Sequence, residues 1–469
     1  MFVRVHSSVT VALTIAFVMI ALPACSYAQT GAARDTVLAD DVDAIVRHAL
    51  LVSPVLRVAE SRLAAAQARI RPSGVAPDPM IMAGLVSQPL GSMKAEASAS
   101  TGSTAGMPSL PDMMTMKMIG VTQTFIYPGK LPALRRIAEM EAKAAQAEVE
   151  TTRIDITRSA KEPYYELSYL DHAIGITERS SAVLATIVRV TETRYSAGTS
   201  GQQDVLKARV ESAQLSETAN MLAEQRTAAL AQLNAVIDQP SDAVVVTPSI
   251  PARILRAAVA SDAVAVRFVA PTIGSRAANS PLPSVLDLQA MAIERSPALR
   301  SHEAMIDAQA ARVESARIAY KPDFDVSLQY GQRKGRPDMI TALVSAPLRL
   351  HRRSREDKLV ADASSELTAM HAEHQAQVNV LRAEISKLAA EIDRNRTQLA
   401  IYSKAILPQA QAGVDAGLAS YQAGRTDLLS VLDSQNTAFT YELSYYRALS
   451  DFAINVAKLE QMIGAEVIK

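Results

Sequence analysis

Over residues 323–330 the chain alternates polar and apolar side chains without error, which puts Phe324, Val326, Leu328 and Tyr330 on one face of an extended strand. Residues 335–338 read as a turn, and 339–350 as a returning apolar segment whose alternation is blurred. Two earlier stretches, 80–88 and 116–125, alternate more weakly. Each is near the roughly nine to eleven residues that cross a bilayer as a tilted strand. Elsewhere the pattern is helical. From Pro132, well placed at a helix start, to Arg194 nearly every residue is a helix former, with Pro163 the main interruption and the expected place of a kink. A second such run covers 354–422, interrupted at Pro408. At about 1.5 Å per residue the first run reaches on the order of 90 Å. A rod of that length cannot bury an apolar stripe against itself, so it must pack beside others, other chains among them.

The chain also repeats itself. Residues 194–206 read RYSAGTSGQQDVL and residues 420–432 read SYQAGRTDLLSVL, so Tyr195/Tyr421, Ala197/Ala423, Gly198/Gly424, Val205/Val431 and Leu206/Leu432 agree at one constant offset. Ser53-Pro54 returns as Ser296-Pro297, and Pro77-Asp78 as Pro322-Asp323, in the same order. This predicts a duplicated unit of helix, hairpin, long helix, turn and helix. The first copy is 29–238, with hairpin 78–127 and tip turn 195–204. The second is 285–469, with hairpin 322–350 and tip turn 421–430. Between them, 239–284 carries Pro240, Pro248, Pro251, Pro271, Pro281 and Pro283 and reads as a connector. Gly198 and Gly424 suit a turn that needs positive φ. Two hairpins supply four strands, too few to enclose a lumen, and unpaired strand edges are not tolerated in lipid. Several chains must pool their strands, and three would give twelve.

Composition refines this picture. The 469 residues hold 48 basic and 48 acidic side chains, so no polyanionic partner such as nucleic acid is implied. Hydrophobic residues make up 49% but aromatic ones only 4%, with no Trp, and the Ala-rich balance favours long, closely packed helices. Residues 1–28 read as an export signal: Arg4, an apolar run over 9–22 and Pro23 before small residues. Later in the chain no window of about 18 uninterrupted apolar residues follows. The single cysteine, Cys25, is either the acylated first residue of the mature chain or is removed by cleavage after Ser26-Tyr27-Ala28; either way no disulfide forms.

At residues 123–131, QTFIYPGKL, and in the doubled Tyr-x-Ala-Gly phrase, the chain resembles the outer-membrane factors of the TolC family, near their metal-efflux branch. The resemblance covers nearly all of the mature chain. It implies a mainly helical fold with membrane β: a homotrimer with one shared twelve-stranded β-barrel in outer-membrane lipid and a long α-helical barrel in the periplasm. It further implies a passive efflux conduit that docks a periplasmic adaptor and an inner-membrane RND-type pump, with no cofactor and no catalytic residue. Heavy-metal cations such as Cu(I) or Ag(I) are one cargo; protein export by a type I secretion system is an alternative, and a structural periplasmic coiled coil a further one. Carried over position by position, Tyr421, Arg425, Asp433 and Asp204 match the periplasmic gate, and Gly198, Thr199, Gly424 and Arg425 the adaptor-docking tips. Ser430 stands where the family has an acid, and Arg425 lies one residue earlier than the family's gating arginine. Rings of carboxylates would narrow a pore and favour cations. Asp204 and Asp433 can equally be first-turn residues favoured by the helix dipole.

Methionine is the remaining signal. Met80, Met82, Met93, Met107, Met113, Met114, Met116 and Met118 are eight of the chain's 17 and fall in one hairpin and its loop. Thioethers suit Cu(I) or Ag(I), with Met107, Met113, Met114 and Met116 as candidate contacts. The plainer reading makes the strand methionines lipid-facing or packing residues. His371 and His374 flank Glu373 but lack a third partner and read as an exposed helix face, while Lys130, Arg135 and Arg136 read as charges near a membrane interface. No nucleophile triad, phosphate loop, HExxH or CxxC spacing is present, so nothing supports an enzyme, and any energy source lies in another protein.

Overall fold

The computed structural model describes residues 41–86, 116–245, 249–259, 282–333, 336–347 and 353–468. The export signal, Cys25, Met93, Met107, Met113 and Met114 lie outside them. Each copy begins with two helices broken by the same dipeptide. Helices α1 (Val42–Val52) and α2 (Pro54–Ser73) meet at Ser53, whose N–H closes α1 on the Ala49 carbonyl and whose Oγ accepts from Leu56 N–H. Pro54 occupies the first turn of α2, where a missing N–H costs nothing. Helices α6 (Val285–Arg295) and α7 (Pro297–Ile318) repeat this break at Ser296-Pro297.

Helix α3 (Lys130–Ser196) is 67 residues long and runs unbroken through Pro163, which is buried within it. There the proline does not break the helix. In the second copy it does, with a definite form. Helix α8 (Glu356–Ile401) passes into a π-helical turn, Tyr402–Ile406, before α9 (Leu407–Gln422). Pro408 has no N–H to give and its ring crowds the preceding turn; one widened turn relieves the crowding, and Leu407 N–H bonds back to the Tyr402 carbonyl. Helices α4 (Gln202–Val236) and α10 (Leu428–Ile463) return from the two tip turns. Along its length α3 packs against α2, α4, α7 and α10, and α8 packs against α7 and α10.

The main core lies midway along the rods, where Tyr164, Tyr165 and Leu167 of α3 meet Phe452 of α10, Ile45 of α1 and Leu288 of α6. Burial there pushes the Tyr165 phenol well above its usual range. The buried Lys161 and Glu460 pair at 2.9 Å. The connector contributes to this core too. Its helix α5 (Ala252–Val259) buries Ile254, Ala257 and Ala258, and the Ala257 carbonyl accepts from Arg396 Nε at 3.0 Å.

The four strands β1 (Met80–Val86), β2 (Met116–Phe125), β3 (Phe324–Arg333) and β4 (Met339–Ser345) form one antiparallel sheet in chain order, with β1 and β4 as its edges. The two hairpins join through β2 and β3, in a register that sets Phe125 opposite Phe324 and Met116 opposite Arg333. One face carries Ile81 and Leu85 of β1, Ile119, Val121 and Phe125 of β2, the four apolar residues read from 323–330, and Ile340 and Val344 of β4. All of these are exposed. The opposite face carries Thr122, Thr124, Asp325, Ser327 and Gln329. Met80, Met82, Met116 and Met118 lie there as well, on the face opposite the oily one.

Where strands meet rods, Lys130 at the start of α3 pairs with Asp323 at 2.8 Å, and Asp323 also accepts from Tyr127 N–H at 2.8 Å. Lys130 is thus a clamp between the two copies. Among the described residues no helix is long and apolar enough to cross a membrane.

Candidate gate at the helical tips

The repeated phrase makes the same backbone turn twice. At the end of α3, Gly198 N–H bonds to the Tyr195 carbonyl at 3.0 Å and Thr199 N–H to the Arg194 carbonyl at 2.9 Å. At the end of α9, Gly424 N–H bonds to Tyr421 at 3.0 Å and Arg425 N–H to Ser420 at 2.9 Å. Crossed bonds of this kind close a helix only if one residue turns left-handed. Gly198 and Gly424 do so, with φ of 73° and 71°. Without a Cβ they adopt that conformation at little cost.

Beneath the tips a small apolar cluster unites the two hairpins: Leu184 and Ile187 of α3, Ala208 and Leu215 of α4, Tyr421, and Leu428, Val431 and Leu432 of α10. Tyr421 is its largest member, and its placement was not foreseen. It is buried inside the protomer. Its ring lies under the Arg194 guanidinium, 4.6 Å away, and its hydroxyl donates to Thr191 Oγ1 at 3.2 Å. Arg194 Nη1 also donates to the Tyr421 carbonyl. The group restrains α9 against α3 through a ring, a cation and two hydrogen bonds. Arg194 and Thr191 escaped sequence reasoning because their counterparts are Ser420 and Gly417, so neither belongs to the repeated signal.

The acidic candidates divide. Asp204, in the first turn of α4, accepts from Ser200 Oγ at 2.7 Å. Asp433 is exposed and lines a groove of about 430 Å³ between α4 and α10, together with Gln203, Leu206, Lys207 and Leu429. Asp427, not singled out from sequence, caps α10 by accepting from Ser430 N–H. The Ser430 hydroxyl also donates to it and, with that N–H, holds its carboxyl below the ordinary carboxylate range. At this tip, then, Ser430 is engaged by an acid three residues earlier. Arg425, Gly198, Thr199 and Gly424 are all exposed at the end of the molecule.

Higher up, His374 does not stand with His371 on a bare face. It stacks on His302 of α7 at 5.6 Å, and His302 lies 3.9 Å from Glu373. Among the described residues no group of three or more His, Cys, Asp or Glu could hold a metal ion.

Comparison with known proteins bears on this geometry. The family model described as outer membrane efflux protein matches residues 45–238 and 288–465, one segment for each copy. The cobalt-zinc-cadmium resistance protein CzcC of Cupriavidus metallidurans is 22% identical over 340 residues, 72% of this chain and 74% of that one. The outer-membrane channel OprN superposes with a TM-score of 0.71 at 16% identity, covering 92% of each chain. CusC superposes at 0.70 with 14% identity over 90% of this chain and 92% of its own. The outer membrane protein VceC of Vibrio cholerae superposes at 0.68 with 18% identity over 91% and 96%.

Proposed function

The chain belongs to the outer membrane efflux protein family, and from that premise we propose that it is one third of a passive channel wall. Three copies pool their sheets into a twelve-stranded barrel seated in outer-membrane lipid and their rods into a periplasmic cylinder. The observation that carries this reading is the sheet. Among the described residues neither of its edges, β1 or β4, has a neighbouring strand, and its apolar face is continuous and exposed. Such a sheet is tolerable only where lipid covers the face and sister strands cover the edges.

The tips, in this reading, form the periplasmic mouth. Tyr421 restrains it from inside the protomer, Asp204, Asp433 and Arg425 set its charge, and Gly198, Thr199, Gly424 and Arg425 present its end to an adaptor that links it to an inner-membrane RND-type pump. The cargo is heavy-metal cations, supported by the likeness to a cobalt-zinc-cadmium resistance protein.

The test is the state of the purified mature chain. A membrane-fractionated, detergent-solubilised trimer that conducts in planar bilayers is expected; a detergent-independent monomer would sink the proposal. A deletion strain grown on cobalt, zinc, cadmium, copper and silver tests the cargo, with loss of tolerance to at least one metal expected and unchanged growth on all five excluding it.

A further inference from the structure

The methionines of the sheet have no role in this account. We propose that the polar face carries a thioether site for a soft monovalent cation, Cu(I) or Ag(I), formed by Met116, Met118 and Met339 around Gly331, with Met82 beside them. The inference rests on the barrel reading, which turns this face inward.

The register sets the geometry. Gly84, Met118, Gly331 and Met339 form one row across all four strands. Met116 stands two residues along β2 on the same face, and Met82, paired with Gly120, is diagonal to Met118. Adjacent strands lie about 4.8 Å apart, so Met118 and Met339 flank a gap of roughly 10 Å over a residue with no side chain. Thioether arms from both sides can lean into that gap. One already does: the Met116 sulfur stands 2.7 Å from the point where a Cβ on residue 331 would lie. A glycine here makes room for sulfur.

The chemistry selects the ligand. This face mixes hydroxyls and amides (Thr122, Thr124, Ser327, Gln329, Thr341) with Asp325, Arg333 and one exposed leucine, Leu343, and its sulfurs gather around Gly331, with Met339 exposed beside it. Thioethers are neutral, soft donors that suit d10 monovalent cations, whereas divalent zinc or cobalt would want imidazole or carboxylate. The acid of this face, Asp325, is three rows away and accepts from Thr124 Oγ1 at 2.7 Å. Arg333, opposite Met116, turns its guanidinium onto the Pro337 carbonyl at 3.0 and 2.8 Å. A neutral ligand set holds a cation weakly enough to release it, as a conduit requires.

Silver ion is the probe, offered to the detergent-purified assembled channel in chloride-free buffer. Bound silver per protomer is measured by equilibrium dialysis and its ligands by X-ray absorption. The wild type is expected to retain Ag⁺ with a sulfur shell. The Met116→Leu/Met118→Leu/Met339→Leu variant should lose that silver while keeping its oligomeric size, and Zn²⁺ should be retained by neither. Should the triple variant fail to assemble, Met339→Leu alone, which removes one thioether and keeps the side chain's bulk, is expected to weaken retention. Unchanged silver binding in an assembled variant, or preferential retention of Zn²⁺, overturns the site and leaves the channel reading intact. A soluble monomer overturns the channel reading itself.

Discussion

The two tips are written in one phrase and close with one backbone turn, yet their side chains are used differently. Tyr195 is 47% exposed and its counterpart Tyr421 only 2%; Leu206 is 54% exposed and Leu432 only 8%. The turn depends on local sequence and is therefore identical in both. Burial depends on the neighbouring helix, and the second tip has α3 beside it while the first faces outward. Carried around a ring of repeats, the contact of Tyr421 with Thr191 and Arg194 falls between Tyr195 and positions 417 and 420 of the next copy. Those positions are Gly417 and Ser420, which offer neither cation nor hydroxyl in the corresponding places. The joint within a protomer is fastened; in the proposed ring the seam between copies has no matching pair to fasten it.

The sharpest way to break this comparison is truncation. Tyr421→Ala is expected to lower the local opening free energy of the tip by about 3–5 kcal/mol, read as amide exchange over residues 428–432, because it empties the centre of the small cluster. Tyr195→Ala should stay within about 0.5 kcal/mol. Equal effects would refute the difference. Next in size is the link itself. Arg194→Ala should cost about 1–2 kcal/mol in the same measurement and raise single-channel conductance in planar bilayers. Ser420→Arg, which supplies the seam with a guanidinium, should lower conductance.

Smaller still, Gly198→Ala and Gly424→Ala should each cost about 1 kcal/mol and by nearly equal amounts, since both sit at almost the same positive φ and a Cβ would meet nothing within 4 Å at Gly198 and only Arg194 Nη2, in ordinary contact at 3.8 Å, at Gly424. Unequal costs would show that the two backbones are not equivalent. The smallest effect is confined to the second tip. A depressed carboxyl pKa stabilises above its unfolded value, about 3.9, and loses that contribution as pH falls through the folded value. Amide protection at the start of α10 should therefore be flat from pH 7 to about 5 and decline below 4, and Asp427→Asn should abolish the decline. The first tip, whose α4 is capped by Gly201, has no such titrating cap.

What the sequence disclosed was what is encoded locally. The tip glycines, the Ser-Pro repeat and the alternation in β3 could all be read because each is a short-range feature of consecutive residues; that Ser-Pro splits one helix into two was not read. The face assignment of β1 could not, since MIMAGLV is apolar at every position except Gly84 and only its register with β2 shows which side is which. Pro163 and Pro408 look alike in sequence, yet one is absorbed in a continuous helix and the other forces a widened turn. The pairs Arg194–Tyr421, Lys130–Asp323 and His302–His374 join distant parts of the chain, two of them across the duplication. Neither periodicity nor repetition marks such partners, because each half of a pair is unremarkable alone.

The sheet's four strands have an arithmetic consequence. With an even count, β1 and β4 run in opposite directions, so when one copy's β4 meets the next copy's β1 the two are antiparallel. Every junction around a closed ring then has the same polarity as those within a copy, whatever the number of copies. Three or five strands would force a parallel joint at each boundary, and a single lost strand would spoil all the boundaries at once.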